Sequence, residues 1–279
     1  MYEKFFGLKE PPFRISPDPR FLFLAPQHQE VLAKCQYMIT SNVGPVYVYG
    51  PIGSGKTSIA RRIYQELTEH DGLKSRFRPA MFSAPDLKTP NAFLRTIMNE
   101  FEVKTERAYD RSLANFSSYL IDESRGGRTP VLLIDEAQHL RHSILELLKF
   151  LLNYETDTQK LLQLVLFGQT ELETKIAGFP ELKSRMFPTA LAALNAEDTA
   201  EMVSWRFRTA GGTAVPFTPG AMLEIFRFSL GVPREVCKLC DISLLIAYNR
   251  NSEIVSEAIV REAARDLRIE DAATEAPDG

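Results

Sequence analysis

Gly50-Pro51-Ile52-Gly53-Ser54-Gly55-Lys56-Thr57-Ser58 is the stretch on which the fold turns. It matches G-x-x-x-x-G-K-[ST] in full. The residues before it, PVYVYG at 45–50, form a short apolar run of strand character. The residues after it predict a helix over 56–69. Strand, glycine turn and helix N-terminus, in that order, are the context in which this motif builds a phosphate cradle. Gly53 and Gly55 lack Cβ, so the loop can curl and aim its amides at phosphate oxygens. The helix N-terminus adds a dipole that favours anions. Lys56 would neutralise β/γ-phosphates, and the Thr57 hydroxyl is suited to Mg²⁺. The expected ligands are therefore ATP and Mg²⁺, held by Gly50 to Ser58.

A second stretch supports this. VLLIDE at 131–136 is a continuous apolar run ending in two acids, as a central parallel strand would be. Asp135 is expected to hold Mg²⁺ and Glu136 to polarise the attacking water. Around these two stretches, strand patterns at 78–84, 161–168 and 187–192 alternate with helical patterns at 27–41, 91–102, 110–123 and 143–154. That alternation predicts a parallel sheet covered on both faces. From about Asn195 the pattern turns purely helical, over 197–210, 219–229, 233–248 and 256–267. The expected fold class is α/β: a parallel-sheet P-loop domain over 1–194 and an all-helical lid over 195–268, followed by a disordered tail at 269–279. The first 30 residues alternate aromatics with prolines, including Phe5, Phe6, Phe13, Phe21 and Phe23. Proline blocks regular structure while the aromatics demand burial, so an extended arm packed on a neighbouring surface is expected.

Composition narrows the partners. Hydrophobic residues make up 44% of the 279 and charged residues 25%, which suits a globular chain. The formal charge of −3 is wrong for a protein that coats nucleic acid through bulk charge, so any DNA contact must be local or created by assembly. No apolar run is long enough to span a bilayer, and the N-terminus lacks a signal-peptide layout, so a cytoplasmic location is expected. Cys237 and Cys240 read C-x-x-C inside a helical pattern and, with Cys35, point to core packing rather than metal or redox chemistry. His139 and His142 lack partner ligands and read as surface or subunit-contact residues, and Trp205 as core.

Over residues 1–268 the chain resembles the AAA+ ATPases, and among them the ATPase region of the ExeA/GspA proteins of general secretion. The segments that carry the resemblance are FFGLKEPPFRISPDPRFLFLAPQHQEVL, GPIGSGKTS, LLIDEAQHL, GQTEL and GVPREVCKLCD, in that order. The resemblance implies further roles. Gln169 occupies the sensor 1 position, Arg185 the position of an arginine finger that reaches a neighbour's ATP, and Arg234 the sensor 2 position. From its residue type alone, Arg185 also fits a solvated helix charge, and Arg234 also fits the start of a lid helix.

Two biological readings stay open on the sequence. The membrane span and peptidoglycan-binding module that ExeA-like proteins carry are not expected in this chain, and short stand-alone ATPases of similar sequence resemble the TnsC/TniB/MuB-type transposition helpers. These form rings or filaments on duplex DNA and activate a transposase. Lys88, Lys104 and Arg107, near a cluster of Lys74, Arg76 and Arg78, are the candidate DNA contacts, which oligomerisation would stack into a basic stripe. The alternative is an ExeA/GspA-type role with secretion-system components as partners. No aromatic-hydrophobic-glycine pore loop is present to suggest a protein unfoldase.

Overall fold

The computed structural model describes residues 1–15, 18–84, 89–156 and 159–269. Lys88 and the expected tail beyond Ile269 lie outside the described residues. In chain order the elements are α1 (Tyr2–Phe5), α2 (Pro26–Thr40), β1 (Val46–Tyr49), α3 (Lys56–Glu69), α4 (Asp71–Lys74), β2 (Phe77–Ser83), α5 (Pro90–Glu100), α6 (Tyr109–Arg125), β3 (Thr129–Asp135), α7 (His142–Leu151), β4 (Gln163–Gly168), α8 (Glu171–Ala177), α9 (Pro180–Lys183), β5 (Phe187–Ala190), α10 (Ala196–Thr209), α11 (Pro219–Ser229), α12 (Pro233–Asn249) and α13 (Glu257–Asp266). They fall into two compact units.

The sheet unit comprises His28–Gly50 and Lys56–Leu191. Among the described residues, five strands form one parallel sheet in the order β2-β3-β4-β1-β5. β3 and β4 are buried along nearly their whole length, which is why their sequences are continuous apolar runs rather than alternating ones. Helices α5 and α7 bring Phe93, Ile97, Leu145 and Leu148 into the core against Leu132 and Leu164. Helix α5 starts where the local chemistry directs it to. Thr89 Oγ1 accepts from Ala92 N at 3.2 Å, and Pro90 occupies the first turn, where its missing N–H costs nothing. Helix α7 stops at Leu151, three residues short of the expected Tyr154. Leu152 N still reaches Leu148 O, but the chain then turns, and Leu161 N bonds Tyr154 O at 3.0 Å.

The helical unit comprises Met1–Gln27, Pro51–Gly55 and Ala192–Gly279. Its helices α10 to α13 follow the predicted pattern, with Thr218 Oγ1 capping α11 by accepting from Ala221 N at 3.0 Å. The N-terminal arm corrects two expectations. It is not wholly extended, since it opens with the helical turn α1 and carries a 3-10 turn at Pro19–Phe21. It also groups with the helical unit rather than with the sheet unit, because its aromatics find their burial there. Phe13 packs edge-on against Phe217 with ring centroids 6.1 Å apart, and the Tyr2 hydroxyl donates to Asp241 on α12. Arg206 then secures the arm backbone, donating to Pro12 O and Arg14 O at 2.9 Å each. Trp205 is half-buried against Phe23, at 5.9 Å, and is not part of the core proper.

Candidate active site

The end of β1 delivers the chain to Gly50, and α3 begins at Lys56. In the sheet unit, Lys56 is buried and its Nζ donates to Gly50 O at 2.9 Å. Thr57, in the first turn of α3, donates its hydroxyl to Asp135 Oδ2 at 2.6 Å. Asp135 sits at the C-terminal end of β3, where its other carboxylate oxygen accepts from Glu136 N at 2.9 Å and its carbonyl accepts from Ala84 N at 2.7 Å. Two hard oxygen donors, a hydroxyl and a buried carboxylate, therefore converge beside a lysine ammonium. That donor set fits Mg²⁺, which takes one or two protein oxygens and leaves its other positions to water and phosphate.

In the helical unit, the loop Pro51–Gly55 lies against the start of α12. Gly53 has φ +81, a conformation that side chains with Cβ rarely adopt. A Cβ built there would also lie 2.8 Å from Arg234 Cβ and 3.1 Å from Val232 Cγ1. Arg234 N in turn reaches Gly53 O at 3.4 Å. Arg234 is exposed, next to the loop that the motif assigns to phosphate.

Glu136 follows Asp135 in a left-handed backbone conformation, φ 54 and ψ 33, which is uncommon outside glycine, asparagine and aspartate. Its carboxylate accepts from Gln138 Nε2 at 2.5 Å, and His139 Nε2 lies 3.9 Å away. Gln169 is brought to the same place by the end of β4, where its backbone N donates to Gln138 Oε1 at 3.1 Å. Gln138 thus joins two of the expected site residues, a role that the sequence reading missed. The signal available in the sequence was a polar residue inside DEAQ, just past the two acids.

Arg185 stands apart. It is exposed in the turn before β5 and donates to Asn153 Oδ1. In a parallel sheet, the start of β5 is at the opposite end from the strand termini that carry Gly50, Asp135 and Gln169. Within its own sheet unit Arg185 is therefore not an active-site residue. Of the candidate nucleic-acid residues, Lys104 pairs with Glu106 at 3.2 Å and Arg107 is exposed. In the nearby basic cluster, Lys74 pairs with Asp71 and Arg78 with Glu123, while Arg76 donates to Thr40 O.

The remaining candidates are structural in their surroundings. Burial pushes the Cys35 thiol up to about 12 and raises those of Cys237 and Cys240, so all three stay protonated. The His142 ring rests on Phe179 with centroids 4.5 Å apart. Among the described residues, no helix is long and apolar enough to cross a membrane.

Residues 39–176 match a family model described as an AAA domain. The chain is 34% identical over 272 residues to General secretion pathway protein A of Aeromonas hydrophila, covering 96% of this chain and 48% of that protein. The chain thus spans about half the length of that relative. Among solved structures, Cdc6p from Pyrobaculum aerophilum matches with a TM-score of 0.70 at 16% identity, over 92% of this chain and 70% of that one. Drosophila ORC bound to DNA matches with a TM-score of 0.69 at 18% identity, over 93% and 65%. The RuvB Holliday junction branch migration motor of Thermotoga maritima matches with a TM-score of 0.59 at 20% identity, over 89% and 72%. At these identities the structural likenesses show the fold alone.

Proposed function

Because the chain belongs to the ExeA/GspA-like AAA+ ATPases, we propose that it is an oligomeric switch driven by ATP hydrolysis, serving a general-secretion process of the kind named for its relative. The observation that carries the catalytic part is the convergence of Thr57 and Asp135 at 2.6 Å beside the buried Lys56. Lys56 exchanges its bond to Gly50 O for β/γ-phosphate oxygens. Thr57 and Asp135 would hold Mg²⁺, which would supply positive charge to offset the charge that develops on the transferring phosphate. Glu136 accepts the proton of the water that attacks the γ-phosphorus. Gln169 donates its amide to the γ-phosphate or to that water, and Arg234, beside Gly53 in the helical unit, offers its guanidinium to phosphate. Arg185 is too remote from its own strand termini to act there, which supports a role on a neighbouring subunit's phosphate.

Complementation tests this arrangement. Lys56→Ala is expected to lower kcat/KM by at least about 100-fold, and Arg185→Ala to lower kcat by a similar factor. Mixing the two variants should restore part of the turnover, because some interfaces then combine an intact loop with an intact arginine. Parent-level activity in Lys56→Ala would refute the site. Parent-level activity in Arg185→Ala, with no gain on mixing, would refute the assembly.

The reading as a DNA-targeting transposition helper has less behind it. Its basic residues are partly engaged with acids of the same chain, whereas the identity to the secretion protein runs through nearly all of this one. Fluorescence anisotropy of a labelled duplex with a non-hydrolysable ATP analogue separates the two. No binding at micromolar protein and low salt is expected. Salt-sensitive binding that weakens in Lys104→Ala/Arg107→Ala would move the assignment to duplex DNA.

A further inference from the structure

The left-handed backbone at Glu136 needs support. Such a conformation is strained for a residue with a Cβ and persists only where the surroundings enforce it. Two groups do so here. The Lys175 ammonium, on α8, donates to Gln138 O and, at 2.8 Å, to Leu140 O, which pins the turn that follows Glu136. The Gln138 side chain adds a bridge of its own, from Glu136 Oε2 at 2.5 Å to Gln169 N at 3.1 Å. Its amide orientation is settled by chemistry. A backbone N–H can only donate and a carboxylate can only accept, so Oε1 must face Gln169 and Nε2 must face Glu136.

The end of β4 is shaped to admit this bridge. A Cβ on Gly168 would lie 2.9 Å from Gln138 Oε1 and 2.8 Å from Leu172 Cδ2, closer than real contacts allow. A glycine at that strand end therefore leaves the space that the amide occupies.

We propose that Gln138 is a positioning residue for ATP hydrolysis: its side-chain amide holds the Glu136 carboxylate in register with the end of β4, so that movement of the Gln169 segment is passed to the glutamate. The proposal rests on the reading of Glu136 as the group that accepts the water's proton. Gln138 acts through Glu136 and touches neither phosphate nor water. Its removal should leave nucleotide affinity alone and slow the chemical step.

The test is a cycle of variants of the full chain, read by kcat, KM, the Kd of a fluorescent non-hydrolysable ATP analogue, and Tm. Gln138→Ala is expected to lower kcat by about 10- to 100-fold, the scale of an ångström-sized misplacement, with KM and Kd within about 2-fold of the parent. Gly168→Ala removes no polar group and intrudes on the bridge from the other side, so it should reproduce that pattern. In a Glu136→Gln background, single-turnover rates should change by less than about 2-fold when Gln138→Ala is added, because the residue through which Gln138 acts is already disabled. Parent-level or raised kcat in Gln138→Ala would overturn the proposal. So would an equal fold-loss in both backgrounds, or a loss of kcat that follows a loss of Kd and Tm in both Gln138→Ala and Gly168→Ala. Parent-rate hydrolysis by Glu136→Gln alone is a separate result, which would bring down the reading of Glu136 itself.

Discussion

The sheet unit and the helical unit both bury charged or strongly polar side chains, and they pair them differently. In the sheet unit, Lys56 and Asp135 are each 6% exposed and bond a carbonyl and a hydroxyl, groups for which phosphate and a cation can substitute. In the helical unit, Glu224 is 8% exposed and accepts two bonds from Arg261, at 2.7 and 3.2 Å, joining α11 to α13. Tyr2 with Asp241, and Arg206 with the carbonyls of Pro12 and Arg14, tie the arm to α12 and α10 in the same way. A buried charge with an exchangeable partner at strand termini points to chemistry. One locked to a partner on a second element points to architecture.

The sharpest test of this contrast is Asp135→Asn. It keeps the shape and the hydrogen bond from Thr57 but removes the charge. Hydrolysis is expected to fall by about 10²–10³-fold, while Tm stays within about 2 °C of the parent. A collapse of Tm with no specific loss of turnover would make Asp135 architectural and break the contrast from the sheet side. The smaller effect is on the other side. Glu224→Gln weakens the bonds to Arg261, whose side chain is 53% exposed, so solvent screening limits the cost to about 1–2 kcal/mol. For a chain of this size that lowers Tm by about 2–8 °C, with kcat within about 2-fold of the parent. A fall in kcat at unchanged Tm would break the contrast from the helical side.

The parts of this arrangement that were legible in the sequence depend on neighbours along the chain. Gly50 to Thr57 declare themselves because loop, lysine and hydroxyl are contiguous, and the acids at 135 and 136 do so because a buried parallel strand is apolar throughout. Thr218-Pro219 marks the start of α11 for the same local reason. What stayed hidden depends on residues far apart in sequence. The aromatics of the arm announced burial but not its location, since Phe13 meets Phe217 only in the folded chain. The insertion of β1 between β4 and β5 leaves no local trace in its four residues. Gln138 was passed over because its partners become neighbours only once Glu136 adopts a left-handed backbone, which a glutamate does not advertise.

The strand order has a consequence for how the chain is made. β1 is synthesised early, yet its two neighbours in the sheet are β4 and β5, residues 163–168 and 187–190. At the ribosome's pace of about 5–20 residues per second, β1 waits several seconds or longer for either edge to be covered. The arm waits longer still, because Phe13 and Phe21 bury against helices from the last third of the sequence. The nascent chain therefore carries exposed aromatics near residues 13–21 and an unpaired strand behind them until the helices that follow residue 195 have been translated. Exposed apolar surface and unpaired strand edges are both aggregation-prone, so the order of emergence carries a hazard that the finished fold does not.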